Sequence, residues 1–435
     1  MAQTKYAPPY LGAAYYPEDW PEAEMERDAA KMAEAGINVA RIAEFAWSRM
    51  EPTEGDYHFE WLHKAVETLA AHGIATVMCT PTATPPAWLT HKYPDMLMEM
   101  ENGRRNQHGG RRHCCSNNPR YREASARIVE VMAKEFAEDE NIIGWQIDNE
   151  IYSWGGCFCP VCVEKFRASL KERFGSTQAL NAAWDLGCWS QEYTAFEEIP
   201  APRDAWVNPH MRLAWETFHQ DSHIEFVAMQ ARILKKYVTA PIGTDTMPFN
   251  GMNYVRMNRE LDIVQFNHYN DEKNLWEAGV WFDFLRNIKD RPFWNTETAT
   301  CWNGSTVVVQ TTKPDGFCYA NSWLPLALGG EANMYWLWRT HWAGHELMHG
   351  SVLEASGRPL HIFEEVQRTA ADFKKAGDFL NATRVKADCA VHFPSTSWNL
   401  FNSQNIFTGF DYPKLFKENF YKPLSDAGLR PDVLE

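Results

Sequence analysis

LGAAYYPEDWPEAEMERDAAKMAEAGINVARIA, residues 11–43, reads as strand, helix and strand. Residues 11–16 are an apolar run, 22–35 an amphipathic stretch stopped by Gly36, and 38–43 a second apolar run. Two strands joined across a helix lie parallel. The period continues outward, with a helix at 61–72 ending at Gly73 and a third strand at 74–80 that runs into the proline-rich TPTATPPAW. Asn118 and Pro119 have the chemistry of a helix cap and first turn, opening a helix to about Glu138, and 142–147 is a fourth strand. Later strands are expected at 241–244, 263–266, 292–295 and 332–337, with helices at 211–237, 274–288, 317–328 and 362–376.

Eight strands alternating with helices predict an α/β fold, a (β/α)8 TIM barrel over residues 1–384. The alternative is an open doubly wound sheet, but no glycine-rich phosphate loop follows the first strand. From Val385 the pattern restarts with VKADCAVHF and a helix at 414–427. We read 385–435 as the start of a second α/β domain, truncated before its sheet closes.

Composition narrows the partners. The 435 residues carry 42 Lys and Arg against 57 Asp and Glu, a formal charge of −15, which argues against a nucleic-acid surface and against anchoring on anionic lipid. No stretch approaches the ~20 apolar residues of a membrane helix. The N-terminus lacks a basic segment followed by an apolar run, so the cytoplasm is expected. Aromatics reach 14%, with 19 Trp, and flat apolar faces suit the C–H faces of sugars as well as cores.

Reactive side chains of such a barrel stand at the C-terminal strand ends. WQIDNE at the fourth strand places Asn149 and Glu150 there, with Asp148 as a competing carboxylate, and FWNTET at the seventh places Glu297 there. Two carboxylates delivered from separate strand ends suit glycoside hydrolysis, and an adjacent amide can hold a sugar hydroxyl. Glu44, Arg111, Arg112, Tyr269 and Trp336 gather at the same end. Cys157, Cys159 and Cys162 form C-x-C-x-x-C, with Cys114 and Cys115 on the preceding loop. Four thiolates would close a structural Zn²⁺ site, and free thiols are the alternative. A competing motif is His345-Glu346-Leu347-Met348-His349, a match to the zinc-peptidase H-E-x-x-H, with Glu364 or Glu365 as third ligand. Gly344 and Gly350 bracket it and leave little room for the helix that chemistry needs.

YYPEDWPE, RIAEFAWSRMEPTEGDYHF, TPTATPPAWL, GGRRHCC and WQIDNE, in this order, resemble glycoside hydrolase family 42, the β-galactosidases of bacteria and archaea. The resemblance spans about Tyr10 to Pro359. It implies a (β/α)8 catalytic domain followed by an α/β domain that builds a homotrimer. It implies Glu150 as acid/base and Glu297 as nucleophile. Arg111, Asn149, Glu346, His349 and Trp336 become substrate-binding residues, and Cys115, Cys157, Cys159 and Cys162 the zinc ligands, leaving Cys114 spare. Tyr269 and Trp302 are further candidates for the sugar site. The sequence departs from the family at Thr298, where Gln is usual, at Trp302, which comes sooner than usual, and at Trp336, where Phe is more usual. The implied activity is retaining hydrolysis of terminal β-D-galactosyl residues without a catalytic cofactor. An α-L-arabinopyranosidase, a zinc peptidase and a non-catalytic sugar-binding protein are the alternatives.

Overall fold

Strand β1 (Tyr10–Ala14) pairs in parallel with β2 (Val39–Ile42) on one side and with β8 (Gly330–Tyr335) on the other. From β2 the ladder continues through β3 (Ala75–Cys79) and β4 (Ile142–Gln146), and from β8 through β7 (Phe293–Thr298) and β6 (Gln265–His268). The two arms meet at β5, whose halves are Ile242–Gly243 and Asp245–Thr246. The first half pairs with β4 and the second with β6. The nine strand segments of the sheet are therefore eight strands closed into a barrel, as the alternation predicts. The computed structural model describes residues 5–152, 156–203, 206–248, 251–304, 312–404 and 406–435.

Local chemistry explains the helices around it. The helix Ala23–Ala35 ends at Gly36, whose φ of 80° is the left-handed cap that glycine adopts without a Cβ clash, and Ile37 N–H closes back onto Met32 O at 2.9 Å. Asn118 caps the helix Pro119–Glu135 by accepting from Arg120 and Tyr121 N–H at 3.0 and 3.3 Å, with Pro119 in the first turn.

The barrel interior changes character along its axis. Val39, Ala75, Val77, Trp294, Ala332 and Met334 pack together toward the N-terminal ends of the strands. A Cβ on Gly144 would lie 2.6 Å from the Trp294 ring, so glycine is what lets that indole fill the barrel. Two residues further along β2, on the same face as Val39, stands Arg41, and the C-terminal half of the interior is polar.

This polarity is why some strand bounds differ from the sequence expectation. The sixth strand runs to His268 and the seventh to Thr298, because their polar ends face a polar lumen that hydrophobic patterning does not register. The last barrel helix runs on to Ala382. The expectation also passed over the excursion between β4 and β5. There the helices Pro160–Phe174 and Thr177–Trp184 build a small core of their own around Phe166, Leu170, Trp184 and Trp215.

Beyond the barrel, β9 (Cys389–His392) and β10 (Pro431–Leu434) form a separate parallel pair. Between them lie a helix at Ser395–Ser403 and a helical run from Tyr412 to Asp426, close to the expected 414–427. Phe393, Trp398, Phe416 and Tyr421 share a core with Trp281 and Phe284 of the barrel helix Leu275–Leu285. Buried Asp283 accepts from the Tyr421 hydroxyl at 2.6 Å and from Arg430 at 2.9 Å across this contact.

Candidate active site

Glu150 and Glu297 both stand at the polar end of the barrel. Each has its two carboxylate oxygens held by different donors. Glu150 follows β4 in a left-handed backbone conformation, φ 47°, and its N–H donates to Asp245 Oδ1 at 3.0 Å. Its Oε2 accepts from Arg111 Nη2 at 2.9 Å and its Oε1 from Asn267 Nδ2 at 3.1 Å. Glu297, in β7, is buried. Its Oε1 is paired with Arg41, and its Oε2 accepts from the Tyr269 hydroxyl at 2.5 Å.

One hydrogen-bond network joins the two carboxylates. Asn267 Nδ2 donates both to Glu150 and, at 2.8 Å, to Asp245 Oδ2. Arg41 donates to Asp245 Oδ2 at 3.4 Å with Nη1 and to Glu297 with Nη2. Arg41 also pairs with Glu44 at 3.0 Å and donates to Gln146 at 2.9 Å, and the Tyr16 hydroxyl donates to Glu44. Asn149, its amide turned to satisfy both neighbours, donates to Asp245 Oδ2 and accepts from Arg111 Nη1, each at 3.0 Å.

The electrostatics follow from this crowding. Burial pushes the Glu297 carboxyl well above the usual carboxylate range, the charges of Glu150, Glu44 and Asp245 push the same way, and Arg41 opposes them. Burial likewise raises Asp245 to about 7, against the pull of Arg41. Four carboxyl groups around two guanidinium groups disfavour full ionisation, which suits a site that must hold a proton to give away.

Asp148, the competing carboxylate, is already committed. It accepts from Thr82 Oγ1 at 2.6 Å and from Arg112 at 3.4 Å, and its φ is 56°. Arg112 also donates to Asn149 O at 3.1 Å, so this arginine braces the turn that presents Glu150.

Glu346 and His349 lie on the loop after β8. Glu346 Oε2 is buried and has no hydrogen-bond partner among the described residues. Burial raises its carboxyl, opposed by the Arg111 charge. His349 donates from Nδ1 to Gly350 O at 2.8 Å. Burial lowers its pKa to about 4, so the imidazole is neutral and Nε2 is left as an acceptor. Trp336 packs edge-on against Tyr16 and His349, with Arg41 near its face.

The loop after β8 bears out the expectation that the bracketing glycines leave no helix for zinc-peptidase chemistry. The residues of the H-E-x-x-H string form turns, so no helix face aligns the two histidines. His345 Nε2 instead donates to Gly109 O at 2.6 Å, and Glu365 accepts from Gly316 and Tyr319 N–H. Trp302, a candidate for the sugar site, donates its indole N–H to Met348 O at 2.9 Å and so clasps the loop of Glu346 and His349. Thr298, at the first departure, is tied to Asn321 and His268. The loop beyond it at 305–311 lies outside the described residues.

Arg41, Gln146, Asp245 and Asn267 were missed by sequence reasoning. The available signal was a polar or charged residue near the C-terminal end of each strand, most plainly Arg41 inside VARI, a strand with no other polar residue.

Apart from the carboxylates, Cys115, Cys157, Cys159 and Cys162 are buried with all four sulfurs within 4.8 Å of one another. Cys115 Sγ lies 3.4 Å from Cys162 Sγ and 3.8 Å from Cys159 Sγ. Cys159 is the N-cap and Cys162 lies in the first turn of Pro160–Phe174, so one helix start aims both thiols at the other two. A tetrahedral ion with metal–sulfur bonds of ~2.3 Å sets its sulfurs ~3.8 Å apart, which this cluster fits. Cys114 points elsewhere, into a small cavity with Met98 and His223.

Comparison with known proteins agrees with this architecture. A family model described as glycoside hydrolase 42, β-galactosidase, matches residues 14–376. The chain is 36% identical over 430 residues to β-galactosidase YesZ of Bacillus licheniformis, covering 98% of this chain and 65% of that protein. The solved β-galactosidase of the Antarctic haloarchaeon Halorubrum lacusprofundi superposes with a TM-score of 0.92 at 32% identity, over 98% of this chain and 66% of that one. That of Rahnella sp. R3 superposes with a TM-score of 0.94 at 28% identity, over 99% and 65%. The chain thus spans about two thirds of the length of these relatives, and by the match across its whole barrel it belongs to the glycoside hydrolase 42 β-galactosidase family.

Proposed function

We propose that the protein is a retaining glycoside hydrolase that releases terminal β-D-galactosyl residues. The observation that carries this reading is the pair of glutamates at the ends of β4 and β7, joined by one network through Asn267, Asp245 and Arg41. Glu297, buried and aligned by Arg41 and Tyr269, attacks C1 as the leaving oxygen takes the proton of Glu150. The product is an α-linked glycosyl ester and a free alcohol. Glu150, at 11% side-chain exposure against 4% for Glu297, is the one that water can reach. It takes a proton from that water, which attacks C1 from the β face and frees Glu297. Two inversions give net retention, for which the carboxyl groups stand ~5–5.5 Å apart.

Arg111, Asn149, Tyr269, Trp336, Glu346 and His349 are proposed to hold the galactosyl group. The unpartnered Glu346 Oε2 and the neutral His349 Nε2 supply acceptors for its hydroxyls. The four cysteines are proposed to hold a structural Zn²⁺, supported by their convergence. All ten cysteines are free, which suits a reducing cytoplasm. Among the described residues no helix is long and apolar enough to cross a membrane. Residues 385–435 are proposed as the start of a second α/β domain. A homotrimer of the full-length protein rests on family resemblance alone.

A panel of nitrophenyl glycosides that includes the α-L-arabinopyranoside tests the reading, with the first-formed anomer followed by proton NMR. We expect the β-galactoside to be the best substrate and β-galactose to appear first. A preference for the arabinopyranoside, or α-galactose appearing first, would overturn the corresponding half of the proposal.

A further inference from the structure

We infer that Asp245 is the residue that positions the acid/base: a third buried carboxylate that holds Glu150 from two directions at once. This rests on the reading of Glu150 given above.

Asp245 is fully buried and stands where β5 is interrupted, between its pairing with β4 and its pairing with β6. It opens the second half of β5, paired with Gln265 of β6, just past the break from the half that pairs with β4. Its Oδ1 accepts the Glu150 N–H at 3.0 Å. A non-glycine residue at φ 47° is strained and persists only where its surroundings fix it, and this bond fixes the backbone from which the Glu150 side chain departs. Its Oδ2 accepts from Asn267 Nδ2 at 2.8 Å, and the second proton of that same amide goes to Glu150 Oε1 at 3.1 Å. Asp245 thus orients the amide that orients the carboxyl. Oδ2 also takes the Asn149 amide and Arg41. Every donor around Asp245 belongs to a residue that touches Glu150, adjoins it, or pairs with Glu297.

Replacing the carboxylate by an amide keeps its volume but turns one acceptor into a donor. That donor faces another donor in either orientation, because Oδ1 accepts the Glu150 N–H while Asn267, Asn149 and Arg41 converge on Oδ2. Asn267 then loses its anchor and Glu150 its alignment, while Arg41 keeps its pairs with Glu44 and Glu297. Proton delivery to the leaving group suffers first. A fault in general acid catalysis has its own signature: it grows as the leaving group becomes more basic and vanishes for one that departs unaided.

The experiment measures kcat/KM over aryl β-galactosides from 2,4-dinitrophenyl to unsubstituted phenyl for wild type, Asp245→Asn, Asn267→Ser and Glu150→Ala, each checked for a cooperative thermal melt. For Asp245→Asn we expect a loss of about 100-fold on the phenyl galactoside and less than about fivefold on the dinitrophenyl one. Asn267→Ser, which leaves Asp245 in place, should tilt the same way by about tenfold, and Glu150→Ala more steeply than either. An equal loss across the series, or none, overturns the assignment of Asp245 and marks it as a packing residue. Should Asp245→Asn not fold, Asn267→Ser decides in the same terms. Absence of a tilt in Glu150→Ala, or a wild type that turns over none of the series, overturns instead the functional reading on which the inference stands.

Discussion

Glu150 and Asn267 are joined by a 3.1 Å hydrogen bond, and Asn267 is also the register partner of Glu297 on the neighbouring strand. The side chain of one residue reaches the first glutamate while its backbone is paired beside the second. Asn267 therefore ties the turn that carries Glu150 to the strand pair that carries Glu297. Anchoring that turn to a strand-borne side chain helps hold the tight tolerances that a single anomeric centre demands.

Removing each glutamate separates their roles by stereochemistry. Glu297→Gly should abolish detectable turnover of a nitrophenyl galactoside, and added azide should restore some of it as the α-galactosyl azide, entering from the vacated face. Glu150→Gly should slow poor leaving groups by about 10²–10⁴-fold and yield the β-azide. Crossed products would exchange the two assignments.

The acidic limb of the pH profile is the second measurement. Glu297 must be ionised to attack, and burial, with the charges of Glu150, Glu44 and Asp245, raises its carboxyl. Below its pKa it is protonated and inert. kcat/KM should therefore fall as pH falls, with a midpoint above the ~4.3 of an ordinary glutamate. The observed value belongs to the carboxylate cluster as a whole. Arg41→Gln removes the guanidinium that opposes the shift and should move the limb upward by about 1–3 units. A midpoint at or below ~4 in the wild type would count against Glu297 as the nucleophile.

The fold and the two glutamates were legible because each leaves a local mark. Strands such as residues 39–42 are apolar runs between helices, and Glu150 and Glu297 end their strands in short polar strings. The supporting network was not legible for the opposite reason. Arg41, Asp245 and Asn267 reach the two glutamates across 95 to 256 positions, and nothing beside them in sequence announces those partners. The Trp302 clasp was hidden on the same ground, since nothing beside this residue in sequence announces its bond to Met348 O.

The loop after β8 distinguishes a sugar site from a peptidase. His345 donates to the Gly109 carbonyl, whereas Glu346 keeps a buried oxygen with no hydrogen-bond partner among the described residues. His345→Ala should leave kcat/KM on a nitrophenyl β-galactoside within about threefold, while Glu346→Gln, which loses a charge-assisted bond to a hydroxyl, should lower it by about 10–100-fold. The reverse order would revive the motif as a functional unit.

Metal removal tests the cysteine cluster. Cys115 follows the loop that carries Arg111 and Arg112, and Cys157 follows the loop that carries Glu150, so an ion shared between them fixes the two loops to each other. Elemental analysis should find about one zinc per chain, the stoichiometry of a closed four-thiolate site. A strong chelator or Cys162→Ser should release it and lower the thermal midpoint by several degrees. Activity at 25 °C should fall less than about tenfold, because the cluster touches neither glutamate and acts only through loop position. Cys114→Ser, outside the cluster, should leave both metal content and midpoint unchanged. Zinc retained in Cys162→Ser but lost in Cys114→Ser would mean that a different set of thiols holds the ion.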